Sequence, residues 1–319
     1  MQWVEHRLTK KLRRCPKRPM PILRTLKTLP TSAQGIILML VGVGIITIND
    51  ALMKLANEDL PLGEILALRS AFVWLPIIIL AWQNGGSRAL KVFDWGRQLS
   101  RGCLLIFSSW CFFLGLQSLP LAQAIAISSV GPLFLTMLAT PFLGEKVGWR
   151  RWAAVFVGFI GAMIIIQPGG DNFIWAALFP LGAALAGAGR DILQRQMSLE
   201  RESTVAILAV STTCVGISGL VTVPFAWKTP SLEALCLISV AAMLLGFAHY
   251  LMMEALRLTE AASIAPLRYT NFLWATLWGL LIWDVLPAKT TWIGISVIAA
   301  SGMYILHRET VRMREKNAP

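Results

Sequence analysis

Nearly unbroken apolar stretches of about 20 residues recur along the chain, the length a helix needs to cross a hydrocarbon core ~30 Å thick. A soluble domain keeps a wet face and alternates apolar with polar positions; these stretches do not. Backbone groups in lipid have no water to bond, so each such stretch must be a helix. The pattern predicts ten spans, at 33–56, 62–82, 98–117, 121–143, 150–167, 173–193, 204–226, 233–256, 260–283 and 288–307. Spans three and four are divided by the turn Ser118-Leu119-Pro120, and spans eight and nine meet at Arg257-Leu258-Thr259.

Composition agrees with a membrane class. The chain is 56% hydrophobic and 14% charged, where a soluble domain carries about a quarter charged residues. Its net charge of +12 invites a nucleic-acid reading, but nine of the 29 Lys and Arg lie between Arg7 and Lys27. They form a basic tail of the kind the positive-inside rule keeps in the cytoplasm, beside anionic lipid. With the N-terminus inside, 24 of the 29 basic residues fall at the inner side, and only Lys228 and Lys289 fall outside. Lys54, Arg69 and Arg268 lie within spans. A wrong helix count would scramble this segregation, so both termini are expected in the cytoplasm. The five cysteines show no metal-ligand spacing and read as small packing residues. The first apolar run is too long for a cleaved secretory signal.

The chain also repeats itself. A shift of 139 lays Leu119-Pro-Leu-Ala-Gln-Ala-Ile-Ala126 over Leu258-Thr-Glu-Ala-Ala-Ser-Ile-Ala265, and Glu145 over Asp284. Residues 33–167 and 173–307 therefore read as two five-helix halves between a basic tail, 1–32, and a C-terminal tail, 308–319. Five is odd, so the halves are expected in opposite orientations. Inverted repeats are a construction of secondary transporters, with the substrate site near the midplane between them.

Polar groups inside the spans carry the candidate chemistry, because a charge at the bilayer centre costs at least ~2.5–3.5 kcal/mol and so faces a cavity or a partner. Span one holds Asn49, Asp50 and Lys54, and the i,i+4 spacing lets Asp50 and Lys54 pair. Span two holds Glu64 and Arg69. Lys54 and Glu64 lie near helix ends, so an ion-pair or gating role stands beside snorkelling to the outer interface. Asp50 and Arg69 lie deeper and are expected to line a cavity or to pair within the bundle. Asp191 and Arg195 repeat the acid–base spacing at the inner end of span six, where snorkelling is again the alternative. Span nine contains Pro266-Leu-Arg-Tyr-Thr-Asn271, then Trp274. Arg268 offers a planar fork to carboxylate or phosphate; the competing reading is a structural ion pair with Asp191 or Glu254. Tyr269, Asn271 and Trp274 join it as candidate substrate contacts. Ser128, Ser129 and Gly131 suit close helix packing, while Pro132 frees a backbone carbonyl. His249 reads mainly as an interior donor, with Tyr250 beside it as a gating candidate.

No P-loop, GxSxG, HExxH or metal cluster appears in the sequence, so no enzyme, cofactor or metal is expected and nucleotide hydrolysis by this chain does not drive transport. Gly144-Glu145-Lys146, followed by Trp149-Arg-Arg-Trp152 and Gly158-Phe-Ile-Gly161, resembles the drug/metabolite transporter superfamily in its ten-helix, two-repeat EamA-type branch. Within the branch, Asn49-Asp50 with Lys54, Glu64 with Arg69, Asp191-Ile192, Glu202-Ser203 and Ala265-Pro266-Leu-Arg-Tyr269 look like bacterial S-adenosylmethionine uptake transporters. The span-nine pattern is also similar to riboflavin transporters. The resemblance implies an all-α integral membrane protein of the cytoplasmic membrane, with ten helices as two inverted EamA repeats. It implies a central cavity and alternating access to a small-molecule substrate, with transport by facilitated diffusion, by exchange with a counter-substrate or by coupling to an ion such as a proton. Riboflavin-type vitamins, amino acids, metallophores and drugs are the alternative cargoes. A channel would show rings of like charge or a filter loop, and a sensor would append a soluble domain; neither pattern is present in the sequence.

Overall fold

The computed structural model describes residues 30–83, 85–143, 148–168, 175–198, 203–258 and 265–317. Helix α1 is Thr31–Asp59, α2 Leu62–Gln83, α3 Trp95–Ser118, α4 Leu121–Ser128, α5 Gly131–Leu143 and α6 Trp149–Ile166. In the second half, α7 is Leu178–Ser198, α8 Thr204–Leu220, α9 Leu232–Leu258, α10 Asn271–Trp283 and α11 Lys289–Asn317. Nine segments among the described residues are long and apolar enough to cross a membrane, counting α4 and α5 as one.

The expected ninth span is not one continuous helix. A 3-10 segment, Ala265–Thr270, leads into α10, which alone has 13 residues. Residues 260–264, the expected start of this span, lie outside the described residues. Span four is interrupted too: α4 stops at Ser128, and Ser129 and Val130 form a turn before α5. Pro132 sits at the second position of α5, where its missing N–H is tolerated because first-turn donors have no intrahelical partner anyway. The two interruptions are related by the shift of 139, since Ser129 and Val130 map onto Arg268 and Tyr269. Irregular backbone at membrane depth is stable only where it faces protein or a wet cavity.

The most extensive helix packing joins the two halves. The dominant pairs are α1 with α9, α3 with α7, α2 with α8, and α6 with α11. Small residues set the closest approaches. A Cβ on Gly161 of α6 would lie 2.8 Å from the Gly294 carbonyl oxygen of α11, so the two backbones touch there. Outside the bundle, Trp82, Phe156 and Phe225 are exposed. In water that belt would drive association; in lipid it is an ordinary surface.

At one end of the bundle, side chains stitch helices together. The Lys54 ammonium donates to the Leu119 carbonyl and lies 5.3 Å from the Trp283 ring centroid. Asn57 donates to the Phe113 carbonyl at 3.2 Å and accepts from Gln117 at 3.1 Å. Trp283 donates to Glu58 at 3.0 Å. Glu64 is fully buried, and its carboxylate accepts the backbone N–H of Lys228 at 3.1 Å. Neither Lys54 nor Glu64 therefore snorkels into water. Both are tied to the backbone of other segments.

Candidate functional site

Inside the bundle lies a cavity of two lobes, about 300 and 410 Å³, mainly apolar in lining but with charged groups on its wall; the lobes share Asp50, Ser108, Phe112 and Arg190. The first lobe runs between α2, α3, α8 and α9; the second lies among α1, α3, the α4–α5 break, α7 and the 3-10 segment before α10. Helices of both halves build each lobe.

Asp50 is placed by α1, a helix otherwise apolar along most of its length. Its carboxylate accepts from Asn49 Nδ2 at 2.9 Å. Asn49 is itself fully buried, so it orients Asp50 and does not line the cavity. The i,i+4 pair expected between Asp50 and Lys54 is not formed, because Lys54 reaches across to α3. Arg69 of α2 lines the same lobe as Asp50, with its guanidinium carbon 5.4 Å from the Phe113 ring centroid. The cation thus lies over the ring face, which attracts it through the ring quadrupole.

Arg268, Tyr269 and Asn271 all line the second lobe. They sit where the helix is interrupted, which presents successive side chains to the cavity rather than burying them in helix packing. Arg268 is exposed to the cavity. The expected ion pair between Arg268 and Asp191 is absent: Asp191 takes its ion pair from Arg190, at 2.8 Å. The Glu254 side chain lies outside the described residues. Tyr269 fits only because position 302 is glycine, where a Cβ would lie 2.7 Å from the tyrosine Cζ. The Thr47 hydroxyl hydrogen-bonds to the Asn271 side chain and ties α1 to the start of α10.

Trp274 does not line the cavity. Its indole packs on Gly44 of α1, where a Cβ would lie 3.2 Å from the ring. The expected contact is thus a helix-packing residue, placed one turn beyond the cavity-lining group. The side chains of Arg195 and Tyr250 lie outside the described residues.

Arg101, Arg190, Ser108, Phe112 and His249 line the cavity as well. Sequence reasoning had counted Arg101 and Arg190 with the inner basic residues, because their positions near the inner ends of spans hide their direction. Arg101 is 6% exposed, and it donates to the Ser211 hydroxyl of α8 and to Gln194 of α7 at 2.9 Å. A six-residue offset from the start of α3 was the available signal, since that depth is more than one turn inside. Among the described residues the cavity so assembled holds four arginines, at 69, 101, 190 and 268, against two carboxylates, Asp50 and Asp191. Among the described residues no group of three or more potential metal ligands occurs.

Comparison with known proteins adds the family. The family model for the EamA-like transporter family matches residues 33–167 and 174–306. A riboflavin transporter of Rhizobium johnstonii is 34% identical over 72% of this chain and 76% of its own. An S-adenosylmethionine uptake transporter of Rickettsia prowazekii is 28% identical over 91% of this chain and 98% of its own. The pseudopaline exporter CntI of Pseudomonas aeruginosa is 28% identical over 83% of this chain and 94% of its own. One crystal structure superposes with a TM-score of 0.62 at 16% identity, covering 90% of this chain and 99% of the other, so the fold is shared.

Proposed function

We propose a function from one premise: this chain belongs to the EamA-like transporter family. It is a secondary transporter that moves a small metabolite across the cytoplasmic membrane by alternating access. The observation that carries this reading is the cavity with the charged groups Asp50, Arg69 and Arg268 on its wall, built by helices of both halves. Such a cavity in a helical bundle is where a carrier of this kind holds its solute.

Two inverted repeats of five helices, with both termini in the cytoplasm, complete the proposal. Helix pairing supports it. Exchanging the halves turns the pair α1–α9 into α7–α3 and returns α2–α8 and α6–α11 to themselves, as a pseudo-two-fold axis requires. The matching interruptions at Ser129 and Arg268 support it further. In this reading Asp50, Arg69, Arg268, Tyr269 and Asn271 contact the solute, while Lys54, Glu64 and Asn57 close the outer end.

S-adenosylmethionine or a related nucleoside or amino-acid solute is the leading cargo. Near-complete alignment with the Rickettsia uptake transporter supports it. A riboflavin-type heterocycle is the second reading, favoured by the 34% identity to the Rhizobium protein. The test is counterflow. Proteoliposomes preloaded with unlabelled S-adenosylmethionine should transiently concentrate the labelled compound from outside, and the Asp50→Asn protein should not. Counterflow of riboflavin alone would move the assignment to the second reading. Flux that only follows the gradient and never saturates would make the protein a channel.

A further inference from the structure

We propose that the inner part of the cavity, where Arg101 and Arg190 meet Ser211, is a subsite for an oxyanion, the carboxylate or phosphate group of the transported solute. The proposal rests on the carrier reading and narrows its substrate class. Its basis is a buried cation that no carboxylate among the described residues pairs with directly, although Asp191 acts on it through space. Arg101 is 6% exposed, yet its hydrogen-bond partners are the neutral Ser211 hydroxyl and the neutral Gln194 amide. Its Nε is buried with no partner. Ser211 already donates to the Ile207 carbonyl at 2.7 Å, so its hydroxyl only accepts from Arg101 and brings no charge.

Arg190 does not relieve this. It holds Asp191 through both Nε, at 3.1 Å, and a terminal nitrogen, at 2.8 Å, which ties up the nearest carboxylate. Asp50 is the other carboxylate of the cavity among the described residues, and it lines the lobe together with Arg69. Among the described residues, four guanidinium groups against two carboxylates leave the cavity wall two positive charges in excess. A buried cation is stable when an anion with acceptor oxygens completes it. A carboxylate or phosphate matches the planar fork of a guanidinium in a way that a spherical ion does not. Arg190 lines both lobes, so an anionic group held there leaves the rest of a solute free to extend along Phe112 towards Arg268. An amino-acid moiety or a phosphorylated metabolite carries such a group; an unphosphorylated flavin does not.

Thermal unfolding of the purified full-length protein tests the subsite. Inorganic phosphate and malonate are titrated against chloride at matched ionic strength. Both oxyanions should raise the melting temperature saturably in the wild type, and Arg101→Gln should bind them about tenfold more weakly, as loss of a charged hydrogen bond predicts. Arg190→Gln should show the same direction, and it carries the test if Arg101→Gln does not fold. An equal shift in the wild type and both variants, or no saturable shift in the wild type, overturns the subsite. Repeating the titration in phosphatidylcholine and phosphatidylglycerol nanodiscs separates the sources. Loss of the shift only in phosphatidylglycerol would mean a lipid headgroup occupies the site, and would overturn the solute assignment. The parent reading fails separately: saturable oxyanion binding without counterflow of any solute removes the carrier, while counterflow with no oxyanion effect removes only the subsite.

Discussion

Asp50 owes its place to α1 and its orientation to Asn49, and the distinction matters for how each is tested. Replacing Asp50 by Asn keeps the shape and removes the charge. Solute affinity should fall roughly 10- to 100-fold, the value of a hydrogen bond to a charged group, while the melting temperature stays near wild type. Counterflow and thermal unfolding on the same preparation check this, and unimpaired counterflow would reduce Asp50 to a structural polar residue. Arg268 is argued from a different fact. It faces the cavity while Asp191 is engaged by Arg190. Arg268→Lys preserves the charge but loses the planar fork, so affinity should weaken about tenfold, equivalent to ~1.4 kcal/mol. A structural partner predicts instead a near-normal Lys variant and a double neutralisation that restores stability. A binding isotherm on the single and double variants separates the two. Both residues stood out in the sequence because charges in apolar runs are expensive. Arg101 and Arg190 did not, because a charge near the end of a run has a cheap alternative in snorkelling.

At the level of elements, proline and glycine decide where helices stop and how closely they approach. The interruption before α10 brings Arg268, Tyr269 and Asn271 to one cavity wall, although in an uninterrupted helix Tyr269 would point about 100° from Arg268 and about 160° from Asn271. The α6–α11 contact depends on glycine. A Cβ at position 161 would lie 2.8 Å from the Gly294 carbonyl oxygen and 3.0 Å from Ile298 Cγ1. Gly161→Val should therefore destabilise the protein by ~1–3 kcal/mol, the range for overpacking a tight interface. The melting temperature should drop while solute affinity at the distant cavity is kept, measured by unfolding and binding in detergent. A Gly161→Val protein as stable as wild type would show that this interface is looser than its geometry.

For the whole molecule, the proposed topology places the α8–α9 connection on the outer side. Lys228 is exposed in that connection and donates its backbone N–H to Glu64. In a cysteine-free background, Lys228→Cys should react with a membrane-impermeant maleimide on intact cells. Reaction only after permeabilisation would reverse the topology and, with it, the assignment of Lys54, Asn57 and Glu64 to the outer closure. The backbone of Lys228 is the partner in that closure, so its side chain can be replaced without breaking the bond.

The membrane class and the repeat that the family model matches twice were legible in the chain alone. Each follows from local physics: runs long enough to span lipid, and a similarity at fixed offset. So was the suspicion that falls on Asp50, Arg69 and Arg268, since buried charge is costly wherever it sits. Partners were not legible. The chain put Asp50 four residues from Lys54, but α3 took Lys54 through a backbone carbonyl; it offered Asp191 to Arg268, and Arg190 held it. Trp274 left the site because Gly44 of a distant helix made room for its ring. Spacing within a helix determines which residues share a face, but only the packing of one half against the other decides what that face meets.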